Sequence, residues 1–529
     1  MKRILPIIFL TIFSINNCQA SENVQVTKRK DTIIVAMHMD DVITLDPHHA
    51  YERTNVMIHH NTYDTLVEFK PSNFNIASPR LAVKWDITKN GLIYIFYLRP
   101  SIKFASGNTF TAEDVCFSWN RLINLKGNPS FYSNIIRNIK MIDDLTVTVE
   151  LKHPSPAFLS IVAAPAMCIL DSKIVKLNGG KSTFDASQTD TAKAWLDQNS
   201  AGSGPFVLVK WKPKSEIVLQ KNQNYWGKTH IKKVIIRHVV DSSTQLQLAQ
   251  KGDADIIHTL DIDLVNMVLK SPKLELITGQ TLNIVYIAMS PDPVLGGILS
   301  NKNVRQAISY AIDYQGIQNL VGGYAAFPPS IIPLGITGVK KTEIHNKYDV
   351  KMAKSLLKKI HSLTNFFELD LFYGAEPGTL RETIAAKIKN DLIKIGIKVN
   401  LHPMQLSLYL SAMRSQKLPF ALGIWTPDYV DPTMWTDYFS YQDKGVAYRI
   451  KYNNNEVSKL ANKISKEIDY TRRSSLIEKI QNIWLDDMSF FTVYQPKQLV
   501  ALPSNLKGFV YDPILFTNFS KLYKLEADK

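Results

Sequence analysis

Apolar residues recur along this chain with two periods, one typical of strands and one typical of helices. Short runs rich in β-branched and aromatic residues predict strands at 31–39, 93–98, 145–152, 283–290 and 368–374. Apolar residues three or four positions apart predict amphipathic helices over 301–323 and 379–396. The second of these helices lies between the last predicted strand and the apolar run IKVNLHPM, which predicts a parallel crossover unit. The pattern therefore indicates an α/β protein.

Turn-forming residues add two local features. The runs FVLVKW and IVLQ within 201–227 are split by KPKS, which predicts a β-hairpin. Within 91–122, the strand IYIFYL and an SGN turn precede Thr111, which is a good helix N-cap. Glu113 and Asp114 follow in the first turn, where the helix dipole favours anions.

The first twenty residues, MKRILPIIFLTIFSINNCQA, have a pattern of their own. Lys2 and Arg3 precede an apolar stretch, and the small residue Ala20 precedes a polar segment. This layout predicts a secretory signal peptide over 1–20, with an uncleaved membrane anchor as the alternative. Lipidation of Cys18 is disfavoured because the residues before it are not small. No later segment has eighteen consecutive apolar residues, so the mature protein is expected to be soluble.

Export changes the interpretation of charge and cysteines. The 529-residue chain has a net charge of +15, and removal of the two basic residues in the leader leaves +13. The lysines are scattered, and an exported protein is not expected to bind nucleic acid. Cys116 and Cys168 remain after cleavage. They could form one disulfide, but their apolar sequence surroundings favour two buried free thiols.

A search for catalytic motifs finds none that is complete. LNGGKST lacks the first glycine of a phosphate-binding loop, and AGSGP lacks the flanking residues of a nucleophile elbow. The histidine pairs at 48–49 and 59–60 have neighbouring side chains that point apart. We therefore expect no enzyme activity, no bound metal and no cofactor.

Several long motifs resemble the bacterial family 5 extracellular solute-binding proteins, which include the dipeptide- and oligopeptide-binding proteins of ABC importers. The segment GLIYIFYLRPSIKFASGNTFTAEDVCFSWNRL resembles the signature region of this family. GSGPFVLVKWKPKSEIVLQKNQNYWG, VRQAISYAIDYQGI and NDLIKIGIKVNL resemble three further family segments in the same order. One departure is Ser106, which stands where an acidic residue is common.

The resemblance implies the fold and the domain order. The fold is an α/β, two-lobed periplasmic binding protein clamp of class II type, with an extra inserted domain and mixed sheets flanked by helices. After the signal peptide, lobe 1 comprises 21–65 with 201–283 and 490–529, the inserted domain 66–200, and lobe 2 284–489. Strands near 283–290 and 490–500 would cross between the lobes as hinges.

The segment GIWTPDYVDPTMW at 423–435 contains the leading site candidates. In peptide-binding members of the family, a similar segment places a carboxylate in the cleft, where it binds the α-ammonium of the ligand. The resemblance implies this role for Asp428, with Trp425 and Tyr429 as apolar walls. The alternative is that Asp428 caps a turn, which is our interpretation of Asp431. Trp435 is equally compatible with the core.

The loop YERTN at 51–55 occupies a stretch that lines the cleft in the family. Arg53 could bind a ligand carboxylate there, with Tyr51 or Thr54 beside it. A solvent-facing loop is an equal alternative.

The implied function is capture of short peptides in the periplasm by hinge closure, followed by delivery to the permease subunits of an inner-membrane ABC importer. The protein is expected to act as a monomer. A nickel chelate, haem, an opine or a sugar-linked compound is the alternative cargo, because family membership does not determine the ligand. A secreted hydrolase is the alternative function class.

Overall fold

The computed structural model describes residues 30–71, 73–340, 347–360, 367–375, 380–514 and 517–525. The predicted signal peptide and its Cys18 lie outside these residues. Within them, one large mixed sheet organises most of the chain. Its strands, in spatial order, are Ile397–Gln405, Phe367–Ala375, Phe420–Trp425, Ile284–Met289, Phe490–Pro503, Ile256–Ile257, Thr32–Met37, Lys233–His238, Glu216–Lys221 and Phe206–Lys212.

The strand Phe490–Pro503 belongs to both halves of this sheet. Its first residues pair with Ile284–Met289, and its later residues pair with Leu274–Gln280. The short strand Ala325–Ala326 pairs with residues near the middle of Phe490–Pro503. One continuous backbone segment therefore connects the two halves, and each half packs on its own hydrophobic core.

A second, four-stranded sheet has a separate core. Its strands are antiparallel and follow the spatial order Ala82–Ile87, Ile93–Leu98, Thr146–Leu151 and Ile136–Asp143. The helix Ala112–Leu125 packs on it through Trp119 and Leu122, which are fully buried. A hairpin formed by Val67–Lys70 and Asn73–Pro79 lies beside this unit. The predicted domain boundaries stay a prediction.

The remaining regular elements surround the sheets. The α-helices are Arg53–Thr62, Ala112–Leu125, Phe158–Val162, Ser172–Leu177, Ala186–Thr189, Lys193–Leu196, Ser242–Lys251, Val265–Leu269, Pro293–Gly296, Lys302–Ala311, Tyr314–Leu320, Val350–Lys358, Arg381–Leu392, Leu406–Arg414, Thr433–Thr436, Gly445–Arg449, Asn455–Ile464 and Tyr470–Asp487. The strands Leu506–Lys507 and Tyr523–Lys524 pair near the end of the described chain. None of the helices in the described ranges combines the length and apolarity that a bilayer span requires.

Most local predictions are confirmed. The strands Phe367–Ala375 and Ile397–Gln405 are parallel around the helix Arg381–Leu392, as the crossover pattern predicts. FVLVKW and IVLQ form the predicted hairpin. Thr111 caps its helix in a reciprocal capping box with Asp114. Both cysteines are free thiols, and Cys168 is buried whereas Cys116 is partly exposed.

The single helix predicted over 301–323 is wrong. Two helices replace it, Lys302–Ala311 and Tyr314–Leu320, because Ile312 is extended and Asp313 begins a new helix. The Asp313 carboxylate accepts a hydrogen bond of 2.9 Å from the amide of Gly316. An aspartate N-cap thus competes with continuation of the helix, although the apolar spacing is unbroken.

Candidate functional site

A rigid loop follows the strand Phe420–Trp425 and presents Asp428. Its second half is fixed by Asp431, whose carboxylate accepts hydrogen bonds from the amide and hydroxyl of Thr433 at 2.9 and 2.7 Å. The same carboxylate forms a bidentate ion pair with Arg473, at 2.9 and 2.6 Å. The interpretation of Asp431 as turn structure is confirmed. Because these bonds hold the loop, Asp428 is presented with little conformational freedom.

Asp428 is half-buried where segments from distant parts of the chain meet. The hydroxyl of Tyr51 donates a hydrogen bond of 2.7 Å to its carboxylate, and the hydroxyl of Tyr132 donates one of 3.1 Å to its main-chain oxygen. Burial raises the pKa of the Asp428 carboxyl to about 6, although the bond from Tyr51 lowers it. Among the described residues, no cationic side chain forms an ion pair with Asp428. Within the described ranges, this half-buried acid therefore has a neutral donor and no counter-ion.

A cavity adjoins Asp428 and is named the first chamber here. It is small and partly open to solvent. Its lining is mostly apolar or aromatic and comes from three stretches of the chain: His59, His60, Tyr63, Thr65, Glu68, Phe69, Phe74 and Arg80; Ser160, Ala163, Ala164, Pro165 and Cys168; and Asp428, Tyr429, Val430, Asp512 and Ile514. The enclosed cavity volume is about 40 Å³, well below the range of about 300–1,000 Å³ that is usual for small-ligand sites, so a larger ligand at Asp428 would need the cleft to open.

The charges of the first chamber favour a cation. Arg80 is neutralised by Asp64 at 2.6 Å and by Glu68 at 3.1 Å. Burial lowers the pKa of His60 to about 3, so this imidazole is neutral at ordinary pH. The Asp428 carboxylate thus faces no competing positive charge from these two side chains.

Aromatic rings surround the loop. The hydroxyls of Tyr429 and Thr433 are 3.3 Å apart, and the ring of Tyr429 lies 6.3 Å from that of Tyr132. Trp425 donates a hydrogen bond of 2.9 Å from its indole nitrogen to the main-chain oxygen of Met434. Its ring lies 5.0 Å from that of Tyr438. Trp435 is fully buried in the core.

The structure brings some of the predicted site residues together and separates others. Tyr51 contacts Asp428, and Tyr429 lines the first chamber. Thr54 is buried, and both its amide and its hydroxyl donate hydrogen bonds to Asp41, at 3.0 and 2.7 Å. Arg53 is the exposed first residue of the helix Arg53–Thr62, and its charge acts on His258 and Tyr511.

Sequence reasoning missed three residues that shape this site. Tyr132 lies in a short 3₁₀ helix, Arg80 follows a hairpin, and Phe74 lies within that hairpin. Each reaches the site from a segment that carries no motif of its own. For Tyr132 and Phe74 the sequence signal is aromatic enrichment, which also predicts core packing, and Arg80 has no such signal.

Comparisons with known proteins place these observations in a family. A family model described as bacterial extracellular solute-binding proteins, family 5 middle, matches residues 77–446. The chain is 28% identical over 493 residues to a probable D,D-dipeptide-binding periplasmic protein of Escherichia coli K12, covering 92% of each chain. It is 26% identical over 486 residues to heme-binding protein A of Haemophilus influenzae, covering 86% of each.

A solved structure of a periplasmic binding protein has a similar fold. The periplasmic binding protein DppA of Helicobacter pylori, in complex with the peptide STSA, is 25% identical to this chain with a TM-score of 0.76. The likeness covers 93% of this chain and 98% of that one. The predicted two-lobed clamp fold is thereby confirmed. The family match spans more than half of the sequence, and the chain therefore belongs to the bacterial extracellular solute-binding proteins, family 5.

Proposed function

We propose that this protein captures short peptides in the periplasm through their free α-ammonium group and delivers them to an inner-membrane ABC importer. The observation that carries the proposal is the state of Asp428. Its carboxyl has a pKa raised to about 6 by burial, and one neutral hydroxyl bonds to it. A buried carboxylate is costly without a positive partner, so a ligand ammonium would relieve that cost.

An ammonium anchor suits peptides because every free peptide has one, whatever its side chains. The bond to a carboxylate is charge-assisted and is worth about 1.5–3 kcal/mol net. The bidentate contact of Asp431 with Arg473 fixes the loop before the ligand arrives. Preorganisation of this kind reduces the entropy lost on binding.

The other predicted site residues have different roles in the proposal. Tyr51 and Tyr429 would contact the first residue of the peptide, and Trp425 would support the loop from behind. Arg53, two residues after Tyr51, remains the proposed partner of the peptide carboxylate. Thr54 would act indirectly, because its bonds to Asp41 fix the start of the helix that carries Arg53.

The relatives support peptide as the leading cargo. One curated relative is named as a probable D,D-dipeptide-binding protein, and the Helicobacter pylori structure contains a peptide. Another relative is named as a haem-binding protein, so haem remains the second candidate. We propose further that the chain is a monomer without catalytic activity, exported by its first twenty residues, and divided into lobe 1, inserted domain and lobe 2 at the predicted boundaries.

Native mass spectrometry of the purified protein, followed by denaturing release, tests the cargo directly. A set of short peptide masses is the expected result. Release of haem, or of a single non-peptide compound, would contradict the peptide proposal and leave the family assignment intact.

Substitution of Asp428 tests the anchor. Asp428→Asn should weaken binding of tri-alanine by about thirtyfold or more in isothermal titration calorimetry, because the buried ammonium loses its counter-ion. N-acetyl-tri-alanine should bind poorly to both proteins. Asp443→Asn removes an exposed carboxylate from the same part of the chain and is the matched control. Equal affinity of the Asp428→Asn variant and the wild type would show that the anchor assignment is wrong.

A further inference from the structure

A larger cavity, named the second chamber, lies beside the first chamber. It has a volume of about 190 Å³, against about 40 Å³ for the first chamber, and it is partly open to solvent. Phe69, Phe74, Ser160 and Val430 contribute to the walls of both chambers. Val430 follows Asp428 by two residues, so their Cα atoms are at most about 7 Å apart. The second chamber is therefore next to the proposed anchor.

The hairpin beside the four-stranded sheet forms one side of the second chamber. In this hairpin Phe69 pairs with Ala77, whereas the next residue, Lys70, pairs with Asn73. Residues 74–76 consequently have no partner in the ladder, and they form a bulge. Bulges redirect side chains and are common beside binding sites. The first two residues of the bulge both line the second chamber.

Most of the second chamber's wall is apolar. Pro156, Ile336, Pro432 and Ile468 join the apolar side chains that it shares with the first chamber, and Tyr470, which is 68% exposed, adds an aromatic ring. An apolar cavity of about 150 Å³ is large enough to hold a benzene ring. The second chamber therefore has room for a side chain of the size of leucine or phenylalanine.

The other polar side chains of the described wall already bond to neighbouring wall residues. The hydroxyl of Ser160 donates a hydrogen bond of 2.9 Å to a main-chain oxygen of the wall, and the hydroxyl of Thr337 donates one to the side chain of Asn75. Asp431 and Arg473 form the bidentate ion pair described above. A polar ligand group in the second chamber would have to compete with these bonds.

We infer that the second chamber takes an apolar side chain from one of the first two residues of the bound peptide. This inference rests on the proposed function and makes it more specific. In a peptide held at Asp428 by its α-ammonium, the first two side chains lie within two residue lengths of the anchor, and Val430 lies within the same distance of Asp428. An apolar side chain in the chamber would remove apolar surface of ligand and wall from water, whereas a polar one would lose its bonds to water.

Calorimetry with position-specific peptides tests the inference. The probes are tri-alanine and its variants with a single leucine or a single asparagine at each position, all with free termini. With leucine at one of the first two positions, the peptide should bind to the wild type at least about tenfold more tightly than tri-alanine, because each methylene in an apolar pocket adds affinity. Asparagine, which is close to leucine in size, should give no gain at that position.

The variant Ile468→Asn places an amide in the wall of the second chamber. Ile468 is 54% exposed, so its substitution should not prevent folding. The advantage of leucine over alanine should fall to about threefold or less, because the amide would lose bonds to water when the chamber is filled. Ile142→Asn is the matched control, since Ile142 is 53% exposed, lies in the four-stranded sheet and is not part of the described wall. It should leave the advantage of leucine at the wild-type value.

The outcomes separate this inference from the proposed function. Equal affinity for tri-alanine and all the leucine peptides, a gain from leucine at the third position alone, or an equal gain from asparagine would overturn the apolar role of the second chamber. An advantage of leucine that Ile468→Asn leaves unchanged would overturn it as well, and in each of these cases peptide capture would stand. A wild type that binds none of the probes would overturn the proposed function and the inference together.

Discussion

At the residue scale, the site depends on the protonation of one carboxyl group. Burial raises the pKa of Asp428 to about 6, and the bond from Tyr51 opposes that increase. Below this pH the group is mostly neutral and cannot balance an ammonium ion. Above it, the carboxylate is available, and in the proposed function a ligand ammonium would offset the cost of its burial.

Binding of a free-amine peptide should therefore weaken as the pH falls through about 6. One unit below the pKa only about a tenth of the molecules carry the carboxylate, so the affinity at pH 5 should be about tenfold lower than at pH 7.5. Calorimetry across this range measures the effect. The Asp428→Asn variant should show no such step, and a step that persists in that variant would assign the titration to another group.

The sequence predicted part of this site because part of it is contiguous. Trp425, Asp428 and Tyr429 lie in one short motif, so their proximity follows from the chain itself. Tyr132, Arg80 and Phe74 reach the site from elsewhere, and only the folded structure brings them to Asp428 or to its cavity. Thr54 shows the opposite limit, because its hydroxyl bonds to the carboxylate of Asp41 although it lies beside a predicted binding residue in the sequence.

At the element scale, a buried ion network connects three segments. Arg121, on the helix Ala112–Leu125, forms ion pairs with Asp46 at 2.7 Å and with Asp190 at 2.8 Å, and all three side chains are fully buried. Burial would raise the pKa of Asp46, but the charge and hydrogen bonds of Arg121 keep it well below its usual range. The network fixes the turn that precedes Tyr51, because the amides of His49 and Ala50 bond to the main-chain oxygen of Asp46.

Removal of the cation should be strongly destabilising. Arg121→Ala removes the cation that two buried carboxylates share, and the free energy of unfolding should fall by about 3–5 kcal/mol. Denaturant titration measures the change. Arg137→Ala, which removes an exposed ion pair with Glu150, should cost only about 0–1 kcal/mol. Similar effects for the two variants would contradict a dominant role of the buried network.

Elements were easier to predict than their interruptions. Periodicity located the crossover unit and the hairpin, because each places apolar residues on one face over many positions. It could not locate the break at Ile312, where Asp313 caps a second helix without disturbing the apolar spacing. It also could not detect the bulge at 74–76, which depends on pairing between two strands.

At the scale of the whole molecule, side-chain bonds hold the cleft together. The loop that carries Asp428 is bonded by Tyr51 and Tyr132, and Ser160 donates a hydrogen bond of 2.9 Å to the main-chain oxygen of Val430. These contacts connect residues that are more than 250 positions apart in the chain. We therefore expect these bonds to favour a closed arrangement of the cleft.

Loss of two of these bonds should shift the ligand-free protein toward an open arrangement. The double variant Tyr51→Phe/Tyr132→Phe should have a larger radius of gyration than wild type in small-angle X-ray scattering, and saturating tri-alanine should restore the smaller value. Tyr97→Phe, which removes a bond to Asp86 at the surface of the second sheet, is the control. An unchanged radius in the double variant would mean that other contacts control closure.

The strand Phe490–Pro503, which both halves of the large sheet share, also determines the order in which the chain can fold. Neither half can complete its hydrogen-bond ladder until this strand is available, and 489 residues precede it in the sequence. Pairing at such sequence distances is slow because the entropy of closing the long loop is lost before the contacts form. A chain of this design stays incompletely folded until this late strand arrives, so a translocase that moves extended polypeptide would meet it before it has folded.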